Sequence, residues 1–343
     1  MSVESGAGDR CHLDDADYAA AGARIETSRD ALAGVADVTV FVRPPSAEEV
    51  GQLREGSTLI APLFPLQNAE VVQAIVARRL TSLALDLIPR TTVAQMMDVL
   101  SSQATIVGYS AVLMAAVALP RFFPMLMTAA GTIAPARVLV LGAGVAGLQA
   151  IGTARRLGAV VEAFDVRKAV KEQVESLGAK FVAVESTEDA QTAGGYARDV
   201  SDDYKKLQEE AIARHVKTAD VVVASALIPG SRAPLLVTES MVKTMKPGSV
   251  IVDLAAEQGG NCALTKEGAA VVAHGVTILG AVDIPSRLSV HASQMFSRNV
   301  EKFLLHITRD GALALDPKDE IVAGALLTRS GEVVHATLKA RLQ

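Results

Sequence analysis

The chain has 343 residues and a formal net charge of −5, with a pI near 5.8, so nothing in its charge favours nucleic acid or an anionic membrane surface. Half of its residues are hydrophobic, drawn from Ala, Val and Leu and not from aromatics, which make up 3% with no Trp; with a mean hydropathy of +0.31, this fits parallel sheets covered by helices on both faces. The length exceeds what one core supports and predicts two domains, while the two cysteines, Cys11 and Cys262, match no metal or redox spacing and read as incidental thiols of a reducing cytoplasm.

In chain order, "ADYAAAGARI" (16–25) reads as a helix, "VTVFV" (38–42) as a strand, and "SAEEVGQLRE" (46–55) as a helix with a Ser46 cap and a Glu49 capping box. "STLIAPL" (57–63) reads as a buried strand, "NAEVVQAIVARR" (68–79) as a helix and "SLALDLI" (82–88) as a further strand. In "LIPRTTVAQMMDVLSS" (87–102), helical spacing puts Val93, Met96, Met97 and Leu100 on one face and Gln95, Asp98 and Ser102 on the other. Thr91 or Thr92 can cap this helix, with Arg90 just before it. Alone, the pattern reads as a surface helix with a solvated polar face. "ATIVGYSAVLMAAVAL" (104–119) is apolar but just below spanning length, rich in small residues and interrupted by Tyr109, so a buried helix between domains is expected.

A second series begins at Arg137. "RVLVLG" is a strand, 145–157 a helix, "AVVEAFD" a strand, "KAVKEQVESLG" a helix closed by Gly178, and "KFVAVE" a strand. A polar stretch (186–202) holds Gly194-Gly195-Tyr196, and a charged helix (203–216) leads to the strands "DVVVASA", "SVIVDLA" and "VTILG". The sum is about six parallel strands, followed by a long amphipathic helix at 288–307. The expected fold class is α/β: two Rossmann-like, doubly wound parallel-sheet domains with a ligand cleft between them, linked by long helices. Residues 1–101 with 305–343 make the first domain, and 102–304 the second.

"VLVLGAGVAGLQA" (138–150) places Gly142, Gly144 and Gly147 as G-x-G-x-x-G between a strand and a helix, and Asp165 ends the next strand. Gly142 allows the tight turn. Gly144 admits a pyrophosphate to the backbone of Val145 and Ala146, at a helix amino end that favours anions. Gly147 lets helix and strand pack closely. Asp165 can accept from both adenosine ribose hydroxyls and would repel a 2′-phosphate, which favours NAD(H) over NADP(H). Arg167 could in principle hold a 2′-phosphate; because the carboxylate comes first, it is read as packing near the adenosine.

These residues, with "VKEQVESLGAKF", "SALIPG", "MKPGSVIVDLAAEQGGNC", "HGVTILG" and the closing "DGALALDPKDEIVAGALLT", resemble the NAD(H)-binding domain I of proton-translocating nicotinamide nucleotide transhydrogenase, over nearly the whole chain. The resemblance implies that Arg90, Gln95 and Asp98 form a catalytic signature near the nicotinamide. It implies cofactor contacts from Arg90, Thr91, Thr92 and Val93, from Gly142, Gly144 and Val145, and from Asp165, Val166 and Arg167 at the adenosine end. It makes the loop around Gly195 and Tyr196 a mobile flap over the cofactor.

The family is related to alanine dehydrogenase, and chemistry separates the two. Amino-acid oxidation needs a general acid/base. In alanine dehydrogenases a His follows a Leu near the strand matching 57–63, and an Asp precedes Gln-Gly-Gly; here those positions are Phe64, which cannot titrate, and Glu257, read as a structural carboxylate at a turn. Hydride transfer between two nicotinamides needs proximity and exclusion of water instead. His215, His274, His291, His306 and His335 show no mutual spacing and are given no role. Asp283 stands where the family commonly has Asn.

The family also begins with an additional strand–helix unit bearing a "P-R-E" stretch, whereas "MSVESGAGDR" resembles the end of the second strand and its loop, so that first unit is expected to be missing. A transhydrogenase further needs a membrane domain and a second nucleotide domain, neither of which is read in this sequence, so both are expected on separate partner polypeptides, a membrane-embedded subunit and an NADP(H)-binding subunit. The resemblance thus implies NAD(H) on this chain and NADP(H) on the partner. It also implies a homodimer, cytoplasmic and peripheral to the inner membrane through its partner subunits.

Overall fold

The computed structural model describes residues 1–184, 201–228 and 231–342. The chain divides into two compact units, Met1–Gln103 with Ser289–Gln343, and Ala104–Leu288. The helix at 288–307, expected with the second domain, thus groups with the first unit.

In the first unit, β1 (Val38–Val40), β2 (Thr58–Ala61) and β3 (Thr81–Ala84) run parallel. They are joined by helices Ala47–Gln52 and Ala69–Ala77. The first of these carries the expected capping box: Glu49 N–H donates to Ser46 Oγ (3.1 Å) and Ser46 N–H to Glu49 Oε2 (2.7 Å). Ile60 and Leu83 enter one apolar cluster, Leu59, Ala61 and Ala84 another. Successive residues are thus buried on opposite faces, which is why these strands read as unbroken apolar runs.

The helix α1 (Val99–Ala118) follows. Among the described residues it is the one helix long and apolar enough to cross a membrane, by length and composition only. Its Ala111, Val112 and Ala115 enter a core cluster of the second unit with Val138 and Val140, and a Cβ on Gly108 would lie 2.0 Å from the Ala146 carbonyl oxygen. The small residues that raise its hydropathy are those that permit this close packing.

The second unit holds β4 (Arg137–Leu141), α2 (Val145–Arg156), β5 (Val160–Phe164), β6 (Lys180–Phe181), β7 (Val221–Ala224), β8 (Val250–Asp253), β9 (Ala270–Ala273) and β10 (Val276–Gly280). Their order is β6-β5-β4-β7-β8-β10-β9, and of these β9 alone runs antiparallel. The six parallel strands have the 3-2-1-4-5-6 order of a dinucleotide fold, whose ligand crevice lies at the carboxyl ends of the strands where the order reverses, between β4 and β7. Val138, Val140, Val221 and Val223 face one cluster, and Leu139, Leu141, Val222 and Ala224 the other.

After α3 (Ser289–His306), β11 (Leu326–Arg329) and β12 (Glu332–Val333) complete the first sheet, in the order β12-β11-β3-β2-β1, with β11 antiparallel to β3. That sheet is therefore mixed, not wholly parallel. Three of the hairpins among the described residues, of which only the strand "VTILG" was expected, share one turn chemistry. Each turns on a residue followed by glycine, both left-handed: His274-Gly275 (φ 53 and 77), Asp310-Gly311 (50 and 78) and Ser330-Gly331 (54 and 86). Two local expectations also change. The helix read at 16–25 ends at Ala20, and Arg24–Glu26 instead pairs in parallel with Ser2–Glu4. The strand read at 82–88 ends at Ala84 and tightens into a 3₁₀ turn, Leu85–Leu87.

Candidate dinucleotide site

The glycine turn follows β4. Gly142 has φ +97, which favours glycine. Its N–H donates to Phe164 O (2.8 Å), and Ser225 Oγ, just past β7, donates to Gly142 O (3.0 Å). A Cβ on Gly147 would lie 1.8 Å from that same Gly142 oxygen, so α2 touches the turn backbone to backbone. Gly144 is the N-cap of α2, with no side-chain cap bond, and a Cβ there would meet nothing within 4 Å. Among the described residues, no side chain caps the amino end of this twelve-residue helix. A pyrophosphate fits this cradle in charge, and Gly144 leaves the backbone open to its approach.

Asp165, at the end of β5, is buried. Its Oδ1 accepts from Arg167 N–H (2.8 Å) and Nε (2.9 Å), and its Oδ2 from Ala143 N–H (2.7 Å) and Arg167 Nη2 (2.7 Å). The carboxylate therefore supports the glycine turn directly, and its hydrogen bonds hold the Arg167 guanidinium above its ordinary value. Arg167, expected near the adenosine, lies forked on Asp165. Four donors fill the lone-pair sites of the carboxylate, so a ribose diol reaches it only in exchange for one of them. Val166 packs against the cluster on one sheet face. Gly195 and Tyr196 lie outside the described residues.

Sequence reading missed a hub beside this turn. Asp253, fully buried at the end of β8, accepts from Ala255 N–H (3.0 Å) on Oδ1 and from Asn261 N–H (2.8 Å), Cys262 N–H (3.0 Å) and Thr265 Oγ1 (2.6 Å) on Oδ2. Asn261, also fully buried, accepts from Ala226 N–H (3.0 Å) and donates to Ala226 O (2.9 Å) and Pro234 O (2.7 Å). The loops after β7 and β8 are thereby tied together at the crevice end of the sheet. Glu257 is exposed and accepts from Asp283 N–H (3.3 Å), a turn contact. Asp283 is left-handed (φ 46), a conformation Asp and Asn tolerate. Burial pushes the Cys262 thiol up.

In the first unit, Arg90, Thr91, Thr92, Val93, Gln95 and Asp98 lie on one connection after β3, but not on one helix face. A single 3₁₀ turn, Ala94–Met97, is followed by Asp98 at φ −76, ψ 91, and α1 starts only at Val99. The expected Thr cap is replaced by Asp98: Ser101 N–H donates to its Oδ1 (2.9 Å) and Ser101 Oγ to its Oδ2 (2.6 Å). The tighter turn shifts the phase of the apolar residues. Ala94, Met97 and Val99 are buried, whereas Val93 and Met96 are 64% and 60% exposed, flanking the exposed Gln95. Asp86, four residues before Arg90, accepts from Leu63 N–H (2.6 Å) and Phe64 N–H (3.1 Å) and so fixes the turn after β2. Burial pushes the Asp86 carboxyl up and the half-buried His335 imidazole beside it down. His215, His274 and His306 each lie against a carboxylate: Glu162 (2.7 Å), Glu239 (3.1 Å) and Asp319 (2.9 Å).

Two family models match, "Alanine dehydrogenase/PNT, N-terminal domain" over residues 1–107 and "Alanine dehydrogenase/PNT, C-terminal domain" over 111–336. The chain is 49% identical to an NAD(P) transhydrogenase subunit alpha polypeptide of Rhodospirillum rubrum, over 98% of this chain and 90% of the relative. It is 27% identical to alanine dehydrogenase of Mycolicibacterium smegmatis, over 97% and 85%. The solved structure of transhydrogenase from Sinorhizobium meliloti superposes with a TM-score of 0.87 at 47% identity, covering 97% of this chain and 90% of that one.

Proposed function

The chain belongs to the alanine dehydrogenase/PNT family, and from that premise we propose that it is the NAD(H)-binding subunit of a proton-translocating NAD(P) transhydrogenase. NADH, when bound, supplies a hydride that passes to NADP⁺ on a partner subunit, leaving NAD⁺ and NADPH. The observation that carries this reading is the glycine cradle with Asp165 behind it. The amino end of α2 holds the pyrophosphate, and Asp165 takes the ribose as Arg167 gives way. Arg90 and Asp98, with Thr91, Thr92 and Val93 around them, orient the carboxamide end, while Gln95 reaches toward the partner's nucleotide.

The higher identity to a transhydrogenase subunit than to alanine dehydrogenase supports this assignment. So does Phe64, in the turn after β2, which cannot titrate where the resemblance places the His of alanine dehydrogenases, whose amino-acid oxidation needs a general acid/base. Proton passage belongs to a membrane-embedded partner subunit, to which this chain is peripheral on the cytoplasmic side.

The test mixes the chain with a purified NADP(H)-binding subunit and follows transfer from NADH to an NADP⁺ analogue. Transfer is expected, and Gln95→Ala should slow it by about 100-fold with NADH affinity nearly unchanged. No transfer with a folded partner overturns the reading. Oxidation of alanine with NAD⁺ and no partner would favour the amino-acid dehydrogenase instead.

The homodimer belongs to the same proposal. The ribbon Leu126–Thr128/Gly131–Ile133 pairs with no other described strand, and Phe122, Met125, Met127 and Ile133 on and beside it are 55%, 57%, 77% and 41% exposed. Isolated two-stranded ribbons are marginal in water, and clustered exposed apolar residues mark contacts. Sedimentation should give a dimer that Met127→Asp converts to monomer. A monomeric parent chain would remove the assignment.

A further inference from the structure

The segment 91–102 has the composition of a continuous helix, yet the helix breaks at Asp98. In an unbroken α-helix the Met96 carbonyl would accept from the N–H of Leu100. The extended ψ of Asp98 (91°) takes that donor away. Instead, Asn299 on α3 donates its Nδ2 to Met96 O at 2.8 Å.

Asn299 is 6% exposed and sits among Phe296, Val300 and Phe303, which pack with Ala94, Met97 and Val99 in one apolar cluster. Its Oδ1 is buried with no hydrogen-bond partner. An amide at this position carries a desolvation penalty that leucine would not. What offsets it is the satisfied carbonyl, and with it the broken conformation. About two turns along, Gln103 Nε2 donates to Ala292 O (3.1 Å) and holds the start of α1 to the same helix.

We propose that Asn299 is the positioning residue for Gln95: by capping the Met96 carbonyl it selects the 3₁₀ turn over a continuous helix and so fixes the direction in which Gln95 is presented. Without that donor, the segment gains by extending α1 toward its amino end. Residues 94–97 then rewind from three to 3.6 residues per turn, and Gln95 rotates with them. The inference rests on the functional reading of Gln95 given above.

The experiment is a double-mutant cycle on the full chain with its NADP(H)-binding partner. Asn299→Leu should slow hydride transfer by about tenfold, leave the NADH dissociation constant by calorimetry within about twofold, and change hydrogen exchange at the Met97 and Asp98 amides. In a Gln95→Ala background the same substitution should cost less than about twofold. Asn299→Ser, too short to reach the carbonyl, gives the same pattern and serves if the leucine variant does not fold. An equal loss in both backgrounds shows a merely structural role and overturns the proposal, as does unchanged transfer. A wild-type chain that transfers no hydride overturns the functional reading instead, and exchange at 97 and 98 then still decides whether Asn299 holds the turn.

Discussion

Replacing Gly147 with alanine is expected to weaken NADH binding by about 10- to 100-fold while the chain stays folded. The reason is a single contact. The new Cβ would stand 1.8 Å from the Gly142 carbonyl oxygen and 2.8 Å from its carbon. Neither atom belongs to a side chain that can swing aside. Gly142 is itself held by Phe164 O and Ser225 Oγ, so the strain falls on α2, which must lift away from β4. Overpacking of this kind costs roughly 1–3 kcal/mol, which corresponds to the stated range of affinity if it is taken from the bound state. The lifted helix carries the Val145 and Ala146 N–H groups out of the phosphate position. Calorimetric titration with NADH checks this, with far-ultraviolet circular dichroism as the folding control. Wild-type affinity in a folded variant would show that α2 does not need to touch the turn.

The parallel strands were legible in the sequence because burial on both faces leaves continuous apolar runs, as in Val221–Ala224 and Val250–Asp253. The shortest hairpins were not, because two-residue strands such as Thr308–Arg309 and Ala312–Leu313 are too short to show a period. Their turn residues, Asp310-Gly311 above all, carried the available signal. The glycine turn was legible since its motif, from Gly142 to Asp165, lies within 25 residues or so, although Ser225, which also holds it, was too distant in the chain to be read. The break at Asp98 was hidden for the opposite reason. Local propensity favours helix there, and the group that overrides it, Asn299, is two hundred residues away in the chain. Asp165 shows both cases. Its place at the strand end could be read, but the fork of Arg167 that fills its oxygens depends on side-chain conformation.

Asp253 gives the largest expected effect on stability. It sits at zero exposure with three backbone N–H groups and one hydroxyl on its two oxygens. Asp253→Ala leaves the N–H groups of Ala255, Asn261 and Cys262 in a buried turn without acceptors. Each unsatisfied donor costs about 1–3 kcal/mol; water entering the cavity recovers part of that, so a net loss of about 3–5 kcal/mol is expected. Asp253→Asn can turn its amide so that the oxygen keeps the Asn261, Cys262 and Thr265 donors, which leaves only Ala255 N–H facing a donor; it should cost about 1–3 kcal/mol, less than the alanine variant but not zero despite its equal size. That ordering separates hydrogen-bond satisfaction from packing. Urea unfolding of the two variants measures it, and a loss below about 1 kcal/mol for both would mean that the turn has other acceptors. The effect should also reach the site. Asn261, whose backbone Asp253 holds, is what fixes Ala226, and the adjoining Ser225 hydroxyl secures Gly142. NADH affinity in the folded fraction of Asp253→Ala is therefore expected to fall with stability, which ties the buried carboxylate at the end of β8 to the phosphate turn at the end of β4.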